Sequence, residues 1–141
     1  MSTMRGQGAA AMAGVERTIA VSWSIDREAV RRARPDLDLP ATRRAADAVL
    51  SITVAGRSCS AELRDDASDQ VHPIELQGVR IDAIDADGFT HVDAYEGHES
   101  LLSATLREDS EGETKLLYAR TALLARLGVQ GGRYARPALD R

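Results

Sequence analysis

The chain has 141 residues, 43% apolar and 28% charged, with a formal net charge of −4, a length that suits one compact domain and a pattern with no run of about 18 apolar residues to cross a bilayer. Its one cysteine, Cys59, leaves no partner for an internal disulfide, so a soluble cytoplasmic protein is expected. Aromatic residues at 4% argue against a stacking platform for nucleic-acid bases.

The net charge hides a segregation along the chain. Residues 1–57 hold nine arginines against six acids, residues 58–114 three arginines against fifteen acids, and residues 115–141 six basic groups against Asp140. An acidic middle between basic ends suits attraction to a basic partner or to a second copy. Seventeen arginines accompany the single Lys115, a usage that points to a GC-rich bacterial genome.

Residues 1–16 read as a flexible arm, since the few alanines around Met12 fall short of a secretory core. "GQGAAA" lacks the preceding strand that would give a phosphate-binding glycine motif its geometry. "RTIAVSW" alternates, with Ile19, Val21 and Trp23 on one side, and predicts a half-buried strand. In "SIDREAVRRARP", Ser24 or Asp26 caps a short helix with solvated arginines, and Pro35 discourages its continuation. "DLDLPATRRAADAVL" predicts a second short helix, with Pro40 near its start and Ala45, Val49 and Leu50 facing a core.

A β-hairpin is then expected, Ile52 and Val54 pairing through a turn at Gly56 with the alternation of Cys59, Ala61 and Leu63. That parity makes Cys59 a core thiol. "DDASDQVHP" reads as a loop. "IELQGVRIDAI" and "FTHVDAYE" form strands joined by Asp85-Ala86-Asp87-Gly88, and "ESLLSATLRE" adds another. In "TKLLYARTALLARLG" the leucines at 116, 117, 123, 124 and 127 favour a long helix closed by Gly128 and Val129 in a Schellman ending, over a strand paired with residues 100–107. Residues 130–141 form a tail in which "GGRYARP" has too few arginines for nucleic acid.

The resulting expectation is a single α+β domain over residues 17–129. It has a mainly antiparallel sheet of about five or six strands, two short N-terminal helices and a longer C-terminal helix on one face. Strand parity sets Val79, Ile81, Ala83, Val92 and Ala94 inward and Arg80, Asp82, His91, Asp93 and Tyr95 outward, the last five being the candidate binding residues. His91 and Asp93 have the spacing of two metal ligands on one strand but lack a third in reach, so no metal and no cofactor is expected. The expected function is an interaction or assembly protein, adaptor or chaperone-like, using an acidic sheet face to bind a protein partner or itself. The alternatives are a small enzyme or ligand-binding protein with a groove around His91 and Asp93, and a multi-copy structural subunit.

Overall fold

The computed structural model describes residues 10–12, 14–130 and 134–140, without side-chain detail for 10–12 and Glu16. Among the described residues strands take 56% and helices 11%, and the strands form two five-stranded antiparallel sheets. The first runs β1 (Ala10–Met12), β6 (Val79–Ala86), β7 (Phe89–Glu96), β8 (Glu99–Glu108), β9 (Thr114–Arg120). In the second, β10 (Ala138–Leu139) is followed by β2 (Val15–Asp26), β3 (Asp47–Gly56), β4 (Ser58–Asp65) and β5 (Val71–Ile74). Inward side chains of both sheets join one core that includes Trp23, Ile25, Leu50, Ile52, Leu63, Val92, Leu102 and Leu106. The expected α+β architecture is therefore overturned in favour of two facing sheets.

Both misplaced helices have physical explanations. The apolar run Ala48, Leu50, Ile52, Val54 has period two and is fully buried, so the ladder with β2 claims residues from Asp47 onward. Val49 turns outward, and "ATRRA" before it stays exposed with no face to bury. No helix forms where the second was expected, and a 3-10 turn at Pro35–Leu37 lies before it. At the C-terminal end, β9 pairs with β8 through the turn that begins at Asp109, whose carboxylate accepts the amides of Glu111 and Glu113, both at 2.9 Å. A bulge opposite Thr105 and Leu106 adds one residue. It turns Leu116 and Ala119 toward the core while Leu117 and Tyr118 stay out. Together with Leu123, Leu124 and Leu127, buried from the short helix α2 (Leu123–Arg126) and its cap, the bulged strand imitates helical spacing.

Other expectations hold. Asp26 caps α1 (Arg27–Ala33) through the Glu28 amide at 3.0 Å. The hairpin turns at Gly56 (φ 58°). Asp87 and Gly88 both take positive φ, as a two-residue hairpin turn requires. Val129 donates to the Leu124 carbonyl at 2.9 Å and Gly128 to Ala125 at 3.1 Å, the Schellman pattern. Local expectations change too: residues 71–73 of the supposed loop join Ile74, the first residue of the expected strand 74–84, in the edge strand β5, that strand itself begins only at Val79, and Arg27 is buried rather than solvated. Of the terminal segments expected to be an arm and a tail, residues 1–9, 13, 131–133 and 141 lie outside the described residues. Ala10–Met12 pairs with β6 and Ala138–Leu139 with β2.

The helices close one end of the sandwich. Gly128 packs against Ala33 of α1, and Arg126 of α2 bonds Glu96 and Glu99 on either side of the β7–β8 turn. Glu96 is held below the usual carboxylate range by the Gln77 amide first and by Arg126 second. The turns at Gly56, Gly88 and residues 109–113 lie at the other end. No helix is long and apolar enough to cross a membrane among the described residues.

Candidate functional site

Register places the five candidate residues on one surface, the outer face of β6 and β7. Arg80 lies opposite Tyr95, Asp82 opposite Asp93, and Ile84 opposite His91. Their neighbours Ile81, Ala83, Val92 and Ala94 are buried, as the alternation requires. The Arg80 guanidinium lies over the Tyr95 ring at 5.2 Å and approaches Asp82 at 4.0 Å. Both ends of that ion pair are well exposed, so it contributes little by itself.

His91 is held from two sides: Nε2 lies 3.0 Å from Asp93 Oδ2, and Nδ1 lies 3.0 Å from Thr105 Oγ1 on β8. A neutral ring that donates from Nε2 to the carboxylate accepts the threonine hydroxyl at Nδ1. Both nitrogens are thereby occupied. Asp82 and Asp93 are like charges directly across neighbouring strands, an unfavourable pair, and the contacts to Arg80 and His91 offset it.

The structure does not bring the other histidines here. His72 lies on β5 of the opposite sheet, 3.3 Å from Gln70, and His98 lies in the β7–β8 turn. Among the described residues no three His, Cys, Asp or Glu side chains are grouped to hold a metal ion. Cys59 packs partly buried against the core, on the side the alternation assigned it, and burial pushes its thiol up to about 11.

The face extends beyond the expected residues. Thr105 and Arg107 continue it on β8, and Lys115, Leu117, Tyr118 and Arg120 on β9. The Arg107 guanidinium lies over the Phe89 ring at 5.6 Å. Ile84, Phe89, Leu117 and Tyr118 are 41% to 49% exposed. Four cations, Arg80, Arg107, Lys115 and Arg120, interleave with Asp82 and Asp93, so the face is of mixed charge and not the acidic one expected. Residues on β9 were missed because a helix over 114–127 removes them from the sheet.

Three carboxylates of the acidic middle, Asp85, Asp87 and Glu108, lie instead at the open end of the sandwich. A cleft of about 570 Å³ lies there between Arg17 and Ile19 of β2 and the turn at Asp85, Asp87 and Phe89, with Glu108 beside it. Arg17 spans this end, donating to Thr114 Oγ1 at 2.8 Å and lying 3.9 Å from Glu108. The Thr90 hydroxyl donates to Asp85. Compared with models of protein families, with curated proteins and with solved structures, the chain matches none of them.

Proposed function

We propose that this chain is a non-enzymatic interaction protein that docks onto another protein surface through the outer face of β6–β9. The observation that carries the proposal is the gathering of Ile84, Phe89, Leu117 and Tyr118 on one open sheet face, each half-exposed and set among charged side chains. Single exposed apolar residues are ordinary, whereas two apolar pairs on one face, Ile84 with Phe89 and Leu117 with Tyr118, set on either side of His91, Thr105 and Arg107, give the mixed apolar and charged composition of a docking patch. Arg80 over Tyr95 and Arg107 over Phe89 add the aromatic and arginine anchors that interfaces favour. The lone cysteine and the arginine-rich usage favour a bacterial cytoplasmic setting for this role. A ligand-binding groove at His91 and Asp93 finds less support, because that pair lies on the open face with both imidazole nitrogens already engaged.

The test compares affinity capture by the wild type, by Phe89→Glu with Tyr118→Glu, and by Thr53→Glu on the outer face of the other sheet. Docking through β6–β9 predicts that bound protein is lost only from the double variant. Equal retention by all three would reject it.

A further inference from the structure

The outer face of β6–β9 is not uniform, and its asymmetry specifies a partner. The outward positions of β8 and β9 from Ser103 to Arg107 and from Lys115 to Arg120 carry Arg107, Lys115 and Arg120 with no carboxylate. Those of β6 and β7 carry Asp82 and Asp93 against Arg80, with His91 bonded to Asp93. One half of the face is basic and the other is net acidic.

The ladders order these residues into rows across the strands. One row is Asp82, Asp93, Ser103, Arg120; the next is Ile84, His91, Thr105, Tyr118; a third is Ala86, Phe89, Arg107, Lys115. A two-fold axis in the plane of the face, parallel to the strands and between β7 and β8, lays β6 of one molecule over β9 of another and β7 over β8. Each row then meets its own reverse. Asp82 comes over Arg120 of the second copy, Ile84 over Tyr118, and Phe89 over Arg107, while Lys115 comes over Ala86. Every such contact occurs twice, as a two-fold interface demands. Sheets that pack face to face keep their strands within about 30° of each other at about 10 Å, so the row about which the two sheets cross, and its immediate neighbours, retain this matching.

We infer that the occupant of this face is a second copy of the same chain, held face to face about a two-fold axis that sets Asp82 against Arg120 and Ile84 against Tyr118. The inference rests on the docking function proposed above and narrows it. A different protein needs no such reversal of charge from one half of the face to the other, and self-pairing does.

The full chain is to be followed by light scattering on a sizing column and by sedimentation over a range of concentrations. The expected mass is twice the 15.2 kDa chain. Tyr118→Glu should return it to the monomer with an unchanged circular dichroism spectrum. Asp82→Arg and Arg120→Asp should each weaken association by at least about tenfold, because each sets like charges face to face twice. The two together should restore it, since the swapped charges again face opposites. A dimer indifferent to Tyr118→Glu, or a double swap no tighter than the single ones, overturns the pairing. So does a monomer at every concentration. If that monomer still captures another protein in a manner abolished by Phe89→Glu with Tyr118→Glu, docking survives and self-pairing fails; without such capture both fail.

Discussion

An ionised side chain leaves water only when its partners replace the lost hydration, and Arg27 with Asp65 meets that condition. Both are buried. The guanidinium bonds the carboxylate through Nε at 2.5 Å and Nη2 at 3.0 Å and also donates to the Pro40 carbonyl. Asp65 accepts the Ala67 amide at 3.0 Å and the Ser68 hydroxyl at 2.7 Å. One pair thus fixes the start of α1, the segment before β3 and the turn after β4. Asp65→Asn leaves the arginine buried without its counter-charge and should cost about 3–5 kcal/mol in urea unfolding. Arg27, Ser68 and Ala67, in that order, hold the Asp65 carboxyl down to about 2 against the cost of its burial, while an unfolded aspartate titrates near 3.9. The folded value is the lower one, so this stabilisation is present above about pH 4 and is lost as pH falls toward 2. Stability measured from pH 5 to 2 should drop with a step that Asp65→Asn lacks; parallel curves for the two proteins would contradict the assignment. At Cys59 the thiol raised to about 11 lies far from its reactive thiolate form at neutral pH. Alkylation of native protein should be at least ~10-fold slower than in denaturant, read by mass spectrometry.

At the scale of elements, the meeting of α1 with the end of α2 depends on one absent side chain. Gly128 has φ 79°, and a Cβ there would lie 2.1 Å from the Ala33 Cβ. Gly128→Ala combines left-handed strain with a clash that neither backbone yields to, and should cost about 3 kcal/mol in thermal or urea unfolding; a loss under about 0.5 kcal/mol, within the range of ordinary surface changes, would show that the helices separate easily. The glycine and the Schellman ending were legible because capping is local chemistry, written in two adjacent residues. So was the inward and outward parity of β6 and β7, with Asp87-Gly88 marking their turn. The identity of β9 was not, because a bulge at Leu117 replaces the two-residue period by one that a helix also satisfies. Residues 45–50 failed for a related reason. Val49 and Leu50 are neighbours that suit either period, and pairing with Ile25 to Trp23 on β2 decides between them. Long-range pairing of this kind cannot be read from a window of sequence, and with β9 unread its outward residues Lys115, Leu117, Tyr118 and Arg120 were unread too.

For the whole molecule, two sheets present four edges, each a template for unwanted pairing. β5 carries Pro73, which has no amide to offer, and β9 is bent by its bulge. The remaining two edges are covered by residues from outside the central meanders, β1 on β6 and β10 on β2. The last cover matters most, because β2 is the longest strand, Val15–Asp26. Its free side is met by the bridge from Tyr134 to Ile25, by Ala138 and Leu139 opposite Ser22 and Val21, and by the Asp140 amide on the Ala20 carbonyl at 2.8 Å. Ser22 also donates to the Asp140 carboxylate at 2.9 Å. Since Leu139 packs partly against the core, this cover is an added strand and not a surface ornament. A chain ending at Gln130 should keep the Gly128 cap and most of the core, yet bare the backbone of β2 from Ala20 to Ile25, where the outward side chains Ala20, Ser22 and Ser24 carry no charge to repel another copy. Such a chain should unfold at lower temperature and form β-rich aggregates that thioflavin and light scattering detect. Replacing Ser22 by Lys in the truncated chain should suppress them by setting a charge on the bared edge strand. Aggregation unaffected by that lysine would place its origin elsewhere than at β2.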